Sequence, residues 1–242
     1  MEILVSEQSD FQHIMVYRAK SMPELILDGY PQSTLPNNEY YELLLGKTRE
    51  SVLVLGGGDL TGVEVFCSEK VRDWKLVEID EKVIEVCSRF TRRRRKLWQN
   101  NVIIGDALTY LQECEPVDHI IIDLLAMTRF DVLAAPYSFT EFIQLLQKKA
   151  RKHVSGFVST GNYGTAAGIV MLPVLKRAGF AQVELLINEL GENFFWATQP
   201  GHESGIRDDM KRYVVHYGAG LTNEAIFDLQ VDEQLIIVDE AL

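Results

Sequence analysis

Cysteine is scarce in this sequence. Only Cys67, Cys87 and Cys114 occur, an odd number, far apart and in no paired spacing. That excludes a disulfide framework and a thiolate metal cluster, and it suits buried thiols in a reducing cytoplasm. The histidines, His13, His119, His153, His202 and His216, show no ligand spacing, so no metal is expected. No apolar run approaches the roughly 20 residues of a membrane-spanning helix, and Met1–Glu7 has neither the basic region nor the apolar stretch of a secretory leader. The expected partners therefore exclude a membrane, and the expected location is cytoplasmic. Positive charge is also short: 24 Lys and Arg face 35 Asp and Glu, a net charge of −11. Generic nucleic-acid binding needs the opposite balance and is not expected. The one basic run, Arg92-Arg93-Arg94-Arg95-Lys96, reads as a solvated helix end or loop. With 47% hydrophobic and 24% charged residues over 242 positions, the composition is that of a soluble globular protein.

The chain is organised around Val52-Leu53-Val54-Leu55 followed by Gly56-Gly57-Gly58-Asp59-Leu60-Thr61-Gly62. Four apolar residues without alternation predict a strand buried on both faces, as in a parallel sheet. The glycines permit a sharp turn and close approach of a ligand. A helix opening at Val63 would turn its free N–H groups toward that ligand.

Residues 1–36 read as a β-rich region of two short strands, around Ile14 and Val16 and over Leu25-Ile26-Leu27. Turns are expected near Met22-Pro23 and at Asp28-Gly29-Tyr30-Pro31. A hairpin of that size must lean on the main domain or on another subunit. Asn37 to Leu45 reads as a capped helix closed by Gly46. Strands follow at 74–80, 102–104, 119–123 and 157–160, with helices through Val83, Leu108, Phe142 and 166–178. Residues 183–187 and 194–197 form a closing antiparallel pair. This α/β alternation is the pattern of an S-adenosylmethionine-dependent transferase, a Rossmann-like variant of the doubly wound sheet. The expected domains are the β region 1–36, the transferase domain 37–200 and an acidic extension 201–242, in which 213–215 and 235–238 are apolar enough to pack.

In an open parallel sheet the ligand lies beyond the carboxyl ends of the strands. Asp59, Glu78, Asp106 and Asp123 stand at four successive strand ends. Glu78 follows Gly58 by twenty residues, the spacing at which a carboxylate accepts from both ribose hydroxyls. Asp106, beside Ala107, can accept from an exocyclic adenine amine. Asp59 and Asp123 are left for the reactive end of a nucleoside. A nicotinamide cofactor would explain Glu78 but not the later acids.

These segments together resemble spermidine synthase and its aminopropyltransferase relatives. The resemblance runs through Ile26-Leu27-Asp28-Gly29, Gln32-Ser33-Thr34, Tyr40-Tyr41-Glu42 and Gly56-Gly57-Gly58-Asp59. It continues in Val77-Glu78-Ile79-Asp80, Gly105-Asp106-Ala107, Ile121-Ile122-Asp123, Thr140-Glu141-Phe142 and Glu224 to Leu229. It implies decarboxylated S-adenosylmethionine as propylamine donor, a polyamine as acceptor, and a homodimer. By the resemblance, Gly56, Gly58, Glu78, Asp106 and Ala107 hold the nucleoside. Gln32, Asp59, Tyr40 and Tyr41 line the reacting end, and Asp123 deprotonates the attacking amine. A carboxylate at the position of Asp59 repels the α-carboxylate of intact S-adenosylmethionine. The sequence departs from the family at Ala126, where a second Asp is usual, at Leu60, where a glycine is usual, and at Leu190-Gly191-Glu192-Asn193, which lacks an aromatic anchor. A methyltransferase on the same fold and a non-catalytic family member are the alternatives.

Overall fold

The computed structural model describes residues 2–19, 22–91, 95–124, 139–160, 172, 174–187, 192–209 and 214–216. The chain forms two units, Met1–Cys114 and Glu115–Leu242.

The first unit opens with four strands, β1 (Glu2–Gln8), β2 (His13–Ala19), β3 (Met22–Leu27) and β4 (Tyr30–Thr34), in an antiparallel sheet of that order. Ile14 and Val16 on β2 face Leu27 and Leu25 on β3, and Ile14, Val16 and Leu25 are buried. The period of two therefore holds one face against the rest of the unit. Two strands were expected here and four are present. Met22-Pro23 is the start of β3 rather than a turn, since Pro23 sits near the strand start, where a missing N–H is tolerated. The turn at Asp28-Gly29 is as expected, with both residues at positive φ.

Helix α1 (Asn38–Leu45) ends at Gly46, whose N–H donates to the Glu42 carbonyl. Asn37 does not cap it through its side chain, contrary to expectation. Strands β5 (Ser51–Gly56), β6 (Asp73–Glu78) and β7 (Val102–Ile104) are parallel. They alternate with α2 (Thr61–Ser68), α3 (Glu81–Cys87) and α4 (Ala107–Glu113). Val52 to Leu55 are all 2% exposed or less, as a strand covered on both faces requires. Tyr41, Phe66 and Trp74 form an aromatic core with centroid spacings of 5.8 and 5.3 Å.

The second unit holds β8 (Val117–Asp123), α5 (Phe139–Lys149), β9 (Ala150–Thr160), β10 (Gln182–Ile187), β11 (Glu192–Thr198) and β12 (Val214–His216). The strand order is β12-β10-β11-β9-β8. Strands β8 and β9 are parallel and the other pairs antiparallel. The closing pair β10–β11 is as expected, and Val214-Val215 of the tail adds a further strand. Strand β9 begins at Ala150 rather than 157: it follows α5 without a turn residue, and its first half, Ala150-Arg151-Lys152-His153, is polar. His153 and Ser155 are nevertheless buried, because Trp196 and Thr198 of β11 cover them. Of the expected helix 166–178, positions 172 and 174–177 are helical and the rest up to 171 lies outside the described residues. The same is true of Arg92 to Arg94, Ala126, Leu190-Gly191, Glu224 to Leu229 and 235–238. No helix among the described residues is long and apolar enough to cross a membrane.

Candidate active site at the carboxyl ends of the parallel strands

The glycine turn after β5 is built as the residue types require. Gly56 and Gly57 have φ of 88° and 81°, a region that side chains with a Cβ rarely adopt. Gly58 is needed for another reason. A Cβ there would lie 2.8 Å from Glu78 Oε2 and 2.9 Å from both Glu78 Cγ and Val83 Cγ1. The absence of that atom lets the Gly58 N–H donate to Glu78 Oε2 at 3.1 Å, while the Asp80 N–H donates to Oε1 at 3.0 Å. Both oxygens of Glu78 are thus oriented by backbone N–H groups. Burial pushes the Glu78 carboxyl up, the neighbouring Asp80 charge adds to this, and the N–H groups of Asp80, Gly58 and Ile79 pull it back. Gly58→Ala should displace the Glu78 side chain, which yields more easily than backbone. Nucleoside affinity is expected to fall about tenfold or more, the loss of one charge-assisted hydrogen bond, with the urea midpoint little changed. Equal affinity in both proteins would show that Glu78 does not depend on this glycine.

Asp59 is held by three donors. Its Oδ1 accepts from the Thr61 N–H at 2.9 Å, and its Oδ2 accepts from Thr61 Oγ1 at 3.0 Å and from Ser33 Oγ at 2.8 Å. Successive residues of a strand point to opposite faces. Accordingly it is Ser33 of β4 that reaches the glycine turn, while Gln32 is exposed and its Nε2 donates to the Tyr30 carbonyl at 3.1 Å. Leu60 has a left-handed φ of 61°, a conformation a glycine adopts without the ~1 kcal/mol cost of a Cβ, and its side chain is fully buried. Leu60 lines a shallow cleft with Leu35, Pro36, Asp59, Thr61, Glu64, Phe90 and Thr91.

Asp106 is exposed and caps α4, with Oδ1 accepting from the Thr109 N–H at 2.7 Å. The preceding Gly105 N–H donates to the Glu78 carbonyl at 2.9 Å, which brings the ends of β6 and β7 together, and Ala107 is buried behind them. Tyr40 is half-buried, whereas Tyr41 is fully buried with its ring over Gly62 and against Phe66. Of the two rings, only Tyr40 keeps an accessible surface. The Cys87 thiol, fully buried, is pushed well up by burial and then by the charges of Asp59, Glu78 and Asp80. Burial and the three negative charges all favour the protonated, unreactive thiol. Asp123, in the second unit, is half-buried at the end of β8. Among the described residues no group of three or more His, Cys, Asp or Glu could hold a metal.

Sequence reasoning did not single out Ser33, Ile79, Asp80 or Ile104. Ile79, just past the end of β6, and Ile104, the last residue of β7, stay 43% and 45% exposed beside Glu78. For Ile79, its place directly after a strand-ending acid was the available signal.

The family model described as "Spermine/spermidine synthase domain" matches residues 41–154. Over this stretch the chain is similar to the spermine/spermidine synthase family. It is 35% identical over 142 residues to a polyamine aminopropyltransferase of Saccharolobus solfataricus, covering 51% of this chain and 46% of that protein. It is 30% identical over 203 residues to polyamine aminopropyltransferase 2 of Aquifex aeolicus, covering 77% and 41% respectively. The chain thus spans less than half the length of these relatives. The crystal structure of spermidine synthase from Thermotoga maritima superposes with a TM-score of 0.65 at 20% identity, over 82% of this chain and 72% of that one. A spermidine synthase in complex with a transition-state analogue gives 0.66 at 19% identity, over 82% and 74%. These two likenesses establish the S-adenosylmethionine-transferase type of fold.

Proposed function

We propose that this protein is a member of the spermine/spermidine synthase family and an aminopropyltransferase of polyamine biosynthesis, moving a propylamine group from decarboxylated S-adenosylmethionine to an amine acceptor. The observation that carries this reading is the Glu78 carboxylate, held at the end of β6 by the Gly58 and Asp80 N–H groups. A carboxylate fixed beside a glycine turn suits the two hydroxyls of a ribose. Asp106 accepts from the adenine amine, and Ile79 and Ile104 offer the ring an apolar surface. Asp59 disfavours a donor that keeps its α-carboxylate, because like charges repel. Tyr40 lines the reacting end, and Gln32, which faces away from the glycine turn, takes no part in it.

In the reaction, the amine lone pair forms an N–C bond to the propyl carbon next to sulfur. The C–S bond breaks, its electron pair stays on sulfur, and a neutral thioether leaves. The sulfonium already activates that carbon, so alignment and a proton acceptor are what the protein supplies. Asp123 is the proton acceptor in this reading.

Calorimetric titration of the wild type and Glu78→Ala with decarboxylated and intact S-adenosylmethionine tests the assignment. The wild type is expected to bind the decarboxylated form more tightly, and Glu78→Ala to lose about tenfold to a hundredfold in affinity. Preference for the intact form would point to a methyltransferase. Binding of neither form by the folded chain would point to a non-catalytic member. The outer strands β1 and β4 leave open edges, and such edges favour a homodimer; sedimentation as a monomer at micromolar concentration would contradict it.

A further inference from the structure

Asp80 is the least exposed carboxylate among the described residues, at 1%. No basic side chain among those residues pairs with it. Lys82 of α3 and Arg89 just beyond it are engaged elsewhere: both pair with Glu7 of β1 and with Glu85. Asp80 is satisfied by neutral donors instead. Its Oδ1 accepts from the Lys82 N–H at 3.0 Å, capping α3. Its Oδ2 accepts from Ser9 Oγ at 2.7 Å and from Gln12 Nε2 at 3.0 Å, and both donors belong to the β1–β2 turn. The same residue's N–H donates to Glu78 Oε1. A helix cap alone needs only the first of these bonds. The bonds from Ser9 and Gln12 cross 71 and 68 residues of sequence, and they leave a charged group in a site from which water is excluded.

We propose that Asp80 is a positioning residue that fastens the β1–β2 turn to the loop carrying Glu78 and so sets where the Glu78 carboxylate lies. The proposal rests on the reading that Glu78 holds a nucleoside. Through this link the N-terminal sheet acts on ligand affinity without touching the ligand. Asp80 also acts through charge. The titratable groups that interact with Glu78 are Asp80 at the start of α3 and the Cys87 thiol at its end. Ile104 stands opposite on β7 with no charge, and Ser9 and Gln12 contribute only neutral donors. Removing the Asp80 charge therefore eases ionisation of Glu78.

The test uses the full chain with carboxyl-labelled glutamate. The Glu78 resonance is identified by its loss in Glu78→Gln and titrated by NMR without ligand. Asparagine still caps a helix, so Asp80→Asn preserves α3 while removing the charge. The expected result is a Glu78 titration moved to lower pH in Asp80→Asn. An unchanged titration would overturn the proposal and leave Asp80 as a cap. In parallel, Ser9→Ala is titrated with decarboxylated S-adenosylmethionine. Affinity is expected to fall about fivefold, as for one hydrogen bond, and to return in Ser9→Thr. Unchanged affinity in Ser9→Ala would overturn the tether. If the wild type binds no nucleoside while the Glu78 titration still moves, the link between Asp80 and Glu78 stands and the proposed activity fails.

Discussion

Replacing Asp123 by asparagine is expected to lower aminopropyl transfer by about 10²- to 10⁴-fold, the usual contribution of a general base. The affinity for decarboxylated S-adenosylmethionine should stay within about tenfold, since Glu78 and Asp106 carry the nucleoside in the proposed site. An ammonium has no lone pair with which to attack, so the acceptor must first lose a proton. Asparagine matches the shape and hydrogen bonding of aspartate but takes no proton. The residue also has a rigid base, because Ile120, Ile121 and Ile122 before it are buried to 1% exposure or less. Single-turnover transfer and calorimetric affinity, measured on the same folded variant, separate the two effects. A merely structural role predicts a stability loss of ~1 kcal/mol and activity reduced only in proportion to the folded fraction. Transfer at the wild-type rate in folded Asp123→Asn would remove Asp123 from the mechanism.

Acid should destabilise the second unit through its buried histidines. His119 is fully buried, and its Nε2 lies 2.9 Å from Ser155 Oγ. The His153 ring is 5.8 Å away, and the Trp196 ring packs against both, at 4.8 and 5.6 Å. Among the described residues neither Nδ1 has a hydrogen-bond partner, nor does Trp196 Nε1 or Thr198 Oγ1. Burial holds the His119 imidazole well below its ordinary range, with His153 adding to this. Burial, with His202 and Lys152, lowers His153 to about 4. Both groups are therefore neutral in the folded chain at pH values where an unfolded histidine has already taken up its proton. The associated stability is present in full above about pH 6.5 and is lost as pH falls toward 4. For His153 the cost is about 1.4 kcal/mol per pH unit in that window, or about 2 kcal/mol at pH 5, and His119 adds in the same direction. Glu78, raised in the folded chain, works in the opposite direction, so the comparison must be made against a histidine variant. Urea midpoints at pH 7.5 and 5.0 for the wild type and for His119→Gln/His153→Gln provide it. The double variant should lose clearly less stability between the two pH values. An equal loss in both proteins would assign the acid sensitivity elsewhere.

Much of the first unit's parallel sheet is legible in the residues alone. Val52 to Leu55 without alternation, the glycines after them and the acid twenty residues beyond Gly58 are local patterns. They answer to local physics: burial on both faces, backbone freedom, and the distance between neighbouring strand ends. The four-stranded N-terminal sheet was half legible. Burial alternates in β2, where Ile14 and Val16 are buried, whereas β1 is half exposed and β3 starts with a proline-bearing step that reads as a turn.

What the sequence by itself determined is the alternation of strands and helices from Val52, the glycine at 58 and the row of carboxylates at the strand ends. Tertiary structure decided which of those carboxylates are already engaged and by what. Asp59 is claimed by Ser33 from 26 residues away and Asp80 by Ser9 from 71, while His119 and Ser155 meet across 36. Tyr41 and Leu60 are placed in the core rather than facing a ligand. The physical reason is that periodicity encodes only whether a residue is buried. A hydrogen-bond partner across tens of residues depends on strand register and on how each loop closes, and no short window of sequence contains that information.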